Sequence, residues 1–271
     1  MASTPVDLPQ LESLQIFSRY YEEVLALLEC IMPSPQCSLF TSCLGKITRY
    51  DSEGDEVWIS PSKVYDAIIR WMLVHAKIHP WKFIWLWTMD YSESGCHLDI
   101  RDSEEHPLSS SADQGGMPVG ITVELDSYGR HCLQELVSSG IFSTVERLQL
   151  TDSAHVVCSF FPLYQAFHSV TELVIEGALF MIPQHKNAAL RRDLDPPLFP
   201  RLRALILIHS AERSLDEVVE FLEHRVEIGL PVAVLDLRGV HIPTDDDRRE
   251  RLGKIKGLLI RWRATRRSPP T

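Results

Sequence analysis

No run of about eighteen apolar residues occurs anywhere in the 271-residue chain, so a membrane-spanning helix is not expected. The N-terminus, MASTPVDLPQLESLQ, has neither a basic start nor an apolar stretch behind it, which leaves secretion unsupported as well. Cysteine is sparse and scattered. Six residues, at positions 30, 37, 43, 96, 132 and 158, form no dense framework and read as reduced thiols of a cytoplasmic or nuclear protein, without disulfides. Net positive charge is also missing. The chain carries −10 overall, which argues against nucleic acid as a partner. The deficit is uneven: positions 248–267 hold nine Lys or Arg against one acid, Glu250, so this segment carries +8 and the rest −18. A basic end of that kind can still meet an acidic partner.

The motifs of catalysis and cofactor binding are missing too. Gly45-Lys46 in CLGKIT lacks the glycine-rich run that gives a phosphate its cradle of backbone amides. GGMPVG at 115–120 does not sit between a strand and a helix in the dinucleotide pattern, and no G-x-S-x-G elbow presents a serine. His75 and His79 stand one helical turn apart, yet Ala76 occupies the place where a zincin carries its glutamate. The pair reads as two surface histidines near a helix end. Cys37 and Cys43 have no C-x-x-C spacing, and Cys96-His97 has no second pair. No catalytic residue, cofactor or metal is expected, and the chain reads as a non-enzyme.

What the chain does contain is apolar spacing. At 45% hydrophobic and 24% charged it can bury a sizeable core rather than remain disordered. Five segments repeat apolar-x-x-Leu-x-apolar: Leu11-Leu14-Ile16, Val145-Leu148-Leu150, Val170-Leu173-Ile175, Leu202-Leu205-Leu207 and Val232-Leu235-Leu237. Two residues apart on a strand means the same side, so each Leu-x-Leu pair needs neighbours to bury it. The last four starts, at 145, 170, 202 and 232, leave room for a crossover helix between parallel strands. SLDEVVEFLEHRVEIG supplies one, capped by Ser214 with Glu217 three residues on, placing Val218, Phe221, Leu222 and Arg225 on neighbouring faces and ending at Gly229. YYEEVLALLECIMP and SPSKVYDAIIRWMLVHAKIHP supply two more, the second bounded by Pro61 and Pro80.

Further strands are expected at WKFIWLWTM, CHLDIR and VGITVELD. In the first, alternation sets Trp81, Phe83, Trp85 and Trp87 on one side, read as buried packing rather than an aromatic platform. RDSEEHPLSSSADQGGM, near 101–118, is rich in Ser, Gly and acid and reads as a mobile loop. HKNAALRRDLDPP reads as a second exposed connection. The spacing predicts one α/β domain over 1–243, a capping helix over 244–264 and a disordered tail over 265–271. In that helix Leu252, Ile255, Leu258, Leu259 and Trp262 form the apolar stripe, while Arg261 and Arg263 sit at its negative end.

The stretches FHSVTELVIEG and PPLFPRLRALILIHS, followed by LDEVVEFLEHRVEIGLPVAVLDLRGV, resemble the irregular leucine-rich-repeat portion of the F-box-like proteins abundant in mushroom-forming fungi. The likeness is clearest over 142–240 and fainter over 8–45. It implies a leucine-rich-repeat-like curved solenoid, with a parallel sheet and outer helices. It also implies protein recognition, as by substrate-receptor subunits of an SCF-type ubiquitin ligase. Two features depart from that pattern. Regular repeats tie their turns with an asparagine ladder, whereas the one asparagine here, Asn187, falls outside every repeat. The F-box opening is echoed only by Leu8-Pro9-Gln10-Leu11-Glu12, so no tight Skp1 contact is expected and the protein partner is unidentified.

On such a solenoid the residues between the inward leucines form the concave surface. Here they are Gln15, Gln149, Val174, Ile206 and Asp236, with Arg147, Thr151, Glu172, Glu176 and Arg238 beside them. Parallel strands buried on both faces would close this surface. Two other readings stay open: an α/β enzyme with chemistry at the strand ends, and a degenerate family member with no ligase role.

Overall fold

Strands and helices alternate along a computed structural model that describes residues 6–8, 10–18, 21–33, 37–43, 48–50, 56–58, 62–91, 95–102, 119–124, 127–151, 161–176, 197–208, 215–240 and 247–262. The fold class is α/β, and the chain divides into two compact units, Met1–Val145 and Glu146–Thr271. Most of the 101–118 loop, much of HKNAALRRDLDPP, and the 265–271 tail lie outside the described residues. Among the described residues, no helix is long and apolar enough to cross a membrane.

The first unit opens with β1 (Val6–Leu8), β2 (Ser13–Ser18), α1 (Tyr21–Cys30), β3 (Ile31–Pro33) and β4 (Ser38–Cys43). It continues through the short pair β5 (Thr48–Tyr50) and β6 (Glu56–Trp58) to α2 (Ser62–Ile78). Three strands follow, β7 (Phe83–Tyr91), β8 (Gly95–Asp102) and β9 (Val119–Glu124), then α3 (Ser127–Ser138) and a 3-10 turn, Ile141–Thr144. Its main strands lie in the order β7-β8-β9-β4-β2. This is not the all-parallel arrangement that the repeat predicts: β7, β8 and β9 pair antiparallel, and only β9-β4-β2 run parallel. Three residues separate Tyr91 from Gly95, enough for a hairpin and far too few for a crossover.

Helix α2 packs between α1 and α3. Val64, Tyr65, Ile68, Ile69, Met72 and Ala76 form its buried stripe, the three- and four-residue spacing of one helical face. Trp81, Phe83 and Trp85 of the aromatic run are core, as their alternation predicts, while the side chain of Trp87 lies outside the described residues. Ile84 and Leu86, on the opposite side, are buried as well, so β7 is covered on both faces over residues 83–86. Trp81 meets Phe142 at 6.0 Å between ring centroids, and its carbonyl accepts the Thr144 hydroxyl at 2.8 Å.

The second unit contains β10 (Arg147–Thr151), α4 (Phe161–Ala166), β11 (Glu172–Glu176), β12 (Ala204–Ile208), α5 (Leu215–Glu227), β13 (Val234–Gly239), α6 (Asp247–Lys254) and β14 (Leu259–Trp262). Its strands follow chain order, β10-β11-β12-β13-β14, all parallel. Leu148, Leu173, Leu205, Leu235 and Ile260 form one transverse row. The four leucines of this row are 3% exposed or less, each stabilising the fold by about 2 kcal/mol relative to an exposed side chain. The remaining segment of the repeat, Leu11-Leu14-Ile16, leads into β2, which pairs with β4 inside the first unit.

The end of the chain also differs from expectation. The helix predicted over 244–264 stops at Lys254, and its apolar second half is β14, paired with β13. Gly253 and Gly257 weaken any helix through this stretch. Gly257 adopts φ 82°, a left-handed turn open to glycine at little cost, and the free edge of β13 offers the next residues backbone partners. Of the expected stripe only Leu252 is fully buried, while Leu259 is exposed. Arg261, expected at a helix end, stands on the strand.

Candidate functional site

The two faces of the second unit's sheet differ in composition. One carries Leu148, Leu150, Leu173, Ile175, Leu205, Leu207, Leu235 and Leu237, all buried. The other carries, in register, the row Gln149, Val174, Ile206, Asp236 and Arg261. Strands β10 and β12 alternate buried and half-buried residues along their length, so one face is covered and the other is partly open.

Nine of the ten expected surface residues stand on this unit's strands; Gln15, on β2, belongs to the first unit and is exposed there. Val174 and Asp236 are buried and offer little area to a partner, a correction to their expected role. In β11 the middle three residues are all buried, which closes the centre of the face as two-sided burial of a parallel strand does. Arg147, Gln149, Thr151, Glu172, Glu176 and Ile206 are half-buried, and Arg238 is exposed.

Charges on this face are organised in pairs. Arg147 Nε lies 2.6 Å from Glu172 Oε1, directly across β10 and β11. The Thr151 hydroxyl donates to Glu176 Oε2 at 3.2 Å. Asp236 accepts from Arg238 Nε at 2.9 and 3.0 Å, from Arg238 Nη2 at 2.6 Å and from the Arg238 amide at 3.1 Å. Those hydrogen bonds hold its carboxyl below the usual range, against the opposing effect of burial. Arg261 Nη1 approaches the same carboxylate at 3.9 Å.

The turns ahead of the strands answer the missing asparagine ladder. The carbonyls of Glu146, Thr171 and Arg203 each accept two amides from the start of the next strand: Thr171 and Glu172, Arg203 and Ala204, Ala233 and Val234. The Ala233 carbonyl accepts a single amide, that of Leu259. Main chain thus does what an asparagine side chain does elsewhere. Arg225 adds the side-chain tie. It is buried, and its Nε donates to the Leu230 carbonyl at 2.8 Å while Nη1 donates to the carbonyls of Leu198 and Phe199 at 2.9 and 3.0 Å. No carboxylate is needed, because three carbonyl dipoles solvate the guanidinium. Burial lowers its pKa to about 10, so it stays charged at neutral pH.

The turn so held is strained. Phe199 has φ 49°, the left-handed region that a non-glycine residue rarely adopts, and its buried ring meets Tyr164 edge-on at 6.3 Å. At the far end of α5, Gly229 at φ 76° closes the helix with the Leu230 amide on the Arg225 carbonyl at 2.9 Å, the glycine stop that the sequence predicts. Ser214, its expected cap, lies outside the described residues. Sequence reasoning misses the Phe199 turn, yet a signal for it exists. Phe142, Phe167 and Phe199 each stand three residues before Val145, Val170 and Leu202 and close the same carbonyl-to-amide turn.

The remaining candidates do not assemble into a reactive centre. His75 is buried, not on the surface as expected; it stacks on Trp71 at 5.3 Å and meets His79 at 5.0 Å. Burial and the neighbouring His79 lower its pKa to about 4. Among the described residues, no group of three His, Cys, Asp or Glu is placed to hold a metal ion. Cys37 is a buried thiol outside any disulfide, and burial raises its pKa, while Gly45-Lys46 and residues 115–118 of GGMPVG lie outside the described residues. Compared with protein-family models, curated proteins and solved structures, the chain finds no match in any of the three.

Proposed function

We propose that this chain is a protein-recognition scaffold, a leucine-rich-repeat-like curved solenoid related to the substrate-receptor subunits of SCF-type ubiquitin ligases. The partly open face of β10–β14 receives the partner protein. The observation that carries the reading is the contrast between two rows of the same five strands. One row is leucine on four strands and isoleucine on the fifth, as packing demands, whereas on the other row the positions that stay accessible, Gln149, Ile206 and Arg261, differ in chemistry from strand to strand. A fold maintained for stability alone needs no such variety on its second face, and recognition draws on it for specificity.

The test uses a variant that inverts surface charge without breaking a pair, Arg147→Glu with Glu172→Lys. Tagged full chain and variant are recovered from the source cells and their co-purifying proteins quantified. A partner held by the face is lost from the swapped variant and kept by Gln15→Arg in the other unit. An identical protein set from all three chains would overturn the proposal. Titration with Skp1 is expected to give no submicromolar complex, because the F-box opening is only echoed at Leu8 to Glu12. A tight complex would instead make residues 8–50 a divergent F-box.

A further inference from the structure

Strand β14 has one neighbour, β13, among the described residues, so its second edge carries main-chain groups with no strand beside them. The register says which. The Leu259 amide donates to the Ala233 carbonyl at 2.8 Å, and along a parallel strand alternate residues turn their N–H and C=O to the same side. Leu259 and Arg261 therefore direct their main chain at β13, and Ile260 and Trp262 present theirs outward. Side chains alternate between the two faces: Leu259 and Arg261 stand on the partly open face, both exposed, and Ile260 and Trp262 stand on the leucine side, both half-buried.

This edge is also basic. Lys256, in the turn that leads to it, is exposed. Arg261 shares Asp236 with Arg238, and Arg238 makes the shorter contacts, 2.6 Å against 3.9 Å. One carboxylate between two guanidiniums leaves a positive charge uncompensated beside the open edge. The neighbouring helix differs, since Arg251 is paired with Glu223 at 2.9 Å and Lys254 with Glu250 at 2.6 Å.

We propose that the free edge of β14 binds an extended acidic peptide segment, which adds as a further strand and sets a carboxylate beside Arg261. Backbone hydrogen bonds to Ile260 and Trp262 supply the binding, and alternation supplies the selectivity, with apolar side chains next to Ile260 and Trp262 and acidic ones next to Arg261. A second copy of this chain is a poor occupant, because pairing two β14 edges brings Lys256 and Arg261 against their own like charges. A long polyanion extends beyond this short basic edge and meets the rest of the chain, which carries −18 outside positions 248–267, whereas a short segment confined to the edge does not. Nor does it find a stacking platform in Trp262, whose ring already has the Arg249 guanidinium 4.5 Å from its centroid.

The site adjoins the recognition face but does not depend on it, and the experiment separates the two. The probe is a fluorescein-labelled octapeptide alternating valine and aspartate, titrated into the full chain and followed by anisotropy. Saturable binding that weakens with salt is expected, with slowed hydrogen exchange at the Ile260 and Trp262 amides. Ile260→Pro removes an outward amide while sparing the bonds to β13, and Arg261→Gln removes the charge while sparing the backbone. Each is expected to weaken binding about tenfold or more, with melting temperature as the check on folding. The swap Arg147→Glu with Glu172→Lys leaves binding intact. The proposal is overturned if both edge variants bind as the parent does, if binding is lost in the swap alone, or if no saturable binding occurs. Equal binding of an octapeptide with prolines in place of two valines, or of an octauridylate, would also overturn it.

Discussion

The two units use the same ingredients, buried aliphatic strands and amphipathic helices, and differ in how each strand finds its neighbour. In the second unit every strand pairs with the next along the chain, and one carbonyl ahead of each of the first three strands accepts two amides from the next. In the first unit β4 pairs with β2 and with β9, while two antiparallel pairings join β7, β8 and β9. Nearest-neighbour pairing makes the second unit approach a one-dimensional stack, in which damage to one strand is felt by those beside it. In the first unit, by contrast, the start of β7 from Phe83 to Leu86 is buried on both faces.

The largest expected effect breaks the stack at its middle. Leu205→Asp places a carboxylate in the centre of the leucine row, where the parent side chain is fully buried, at a cost of about 5 kcal/mol. Hydrogen exchange should show protection lost from β11, β12 and β13 together, and retained in α2 and α3. Loss confined to β12 would refute the stack-like coupling. The counterpart in the first unit is Trp81→Ala, expected to cost about 4 kcal/mol, because the ring is fully buried and no neighbouring repeat can slide in to replace it. Denaturant titration checks this, and a loss below about 1 kcal/mol would mean that the site collapses around the cavity.

A smaller effect separates the two ways of holding a turn. Arg225→Ala leaves the Leu198 and Leu230 carbonyls without their donor, while the Phe199 carbonyl keeps the Leu202 amide at 3.0 Å. A cost of about 3 kcal/mol is expected. Arg225→Lys is not expected to rescue it, since one ammonium cannot span carbonyls that Nε and Nη1 of a rigid fork reach separately. Full rescue by lysine would show that charge, not fork geometry, matters at this turn.

The same contrast explains which parts of the fold are legible in the sequence. Leu148-x-Leu150, Leu173-x-Ile175, Leu205-x-Leu207 and Val232-x-x-Leu235-x-Leu237 are readable because nearest-neighbour stacking repeats one demand at each strand. Strands β10 to β13 begin two residues after the first apolar position of each repeat, because Glu146, Thr171, Arg203 and Ala233 use their carbonyls as ties between strands. The residues of β14 fit a helical stripe as well as a strand, and only the tertiary competition for the edge of β13 decides between them. In the first unit, period alone finds β7, β8 and β9 but not their direction. The two-sided burial of β11, which removes Val174 from the partly open face, is invisible to any pattern along one strand.

The finest distinction between the units is electrostatic. Arg225, in the second unit, is buried with its charge solvated by three carbonyls; His75, in the first, is buried with no hydrogen-bond partner at Nδ1. Its pKa falls from 6.5 to about 4 through burial and the neighbouring His79, so the folded chain holds it neutral where the unfolded chain binds a proton. The stability tied to that neutral ring is fully present above about pH 6.5 and is lost progressively down to about pH 4. Asp102, in the same unit, works the other way. Burial raises its pKa from 3.8 to about 7, so the folded carboxyl takes up a proton first and stability is gained as pH falls through that window. The two contributions oppose each other, and the parent's acid profile is flattened between about pH 6.5 and 4. Single variants uncover each. His75→Phe removes the loss, so its melting temperature should rise relative to the parent as pH is lowered from 6.5 to 4. Asp102→Asn removes the gain, so it should fall relative to the parent over the same range. Parallel melting profiles for parent and His75→Phe would show that the imidazole titrates in the folded chain as it does in water, and is not buried against Trp71.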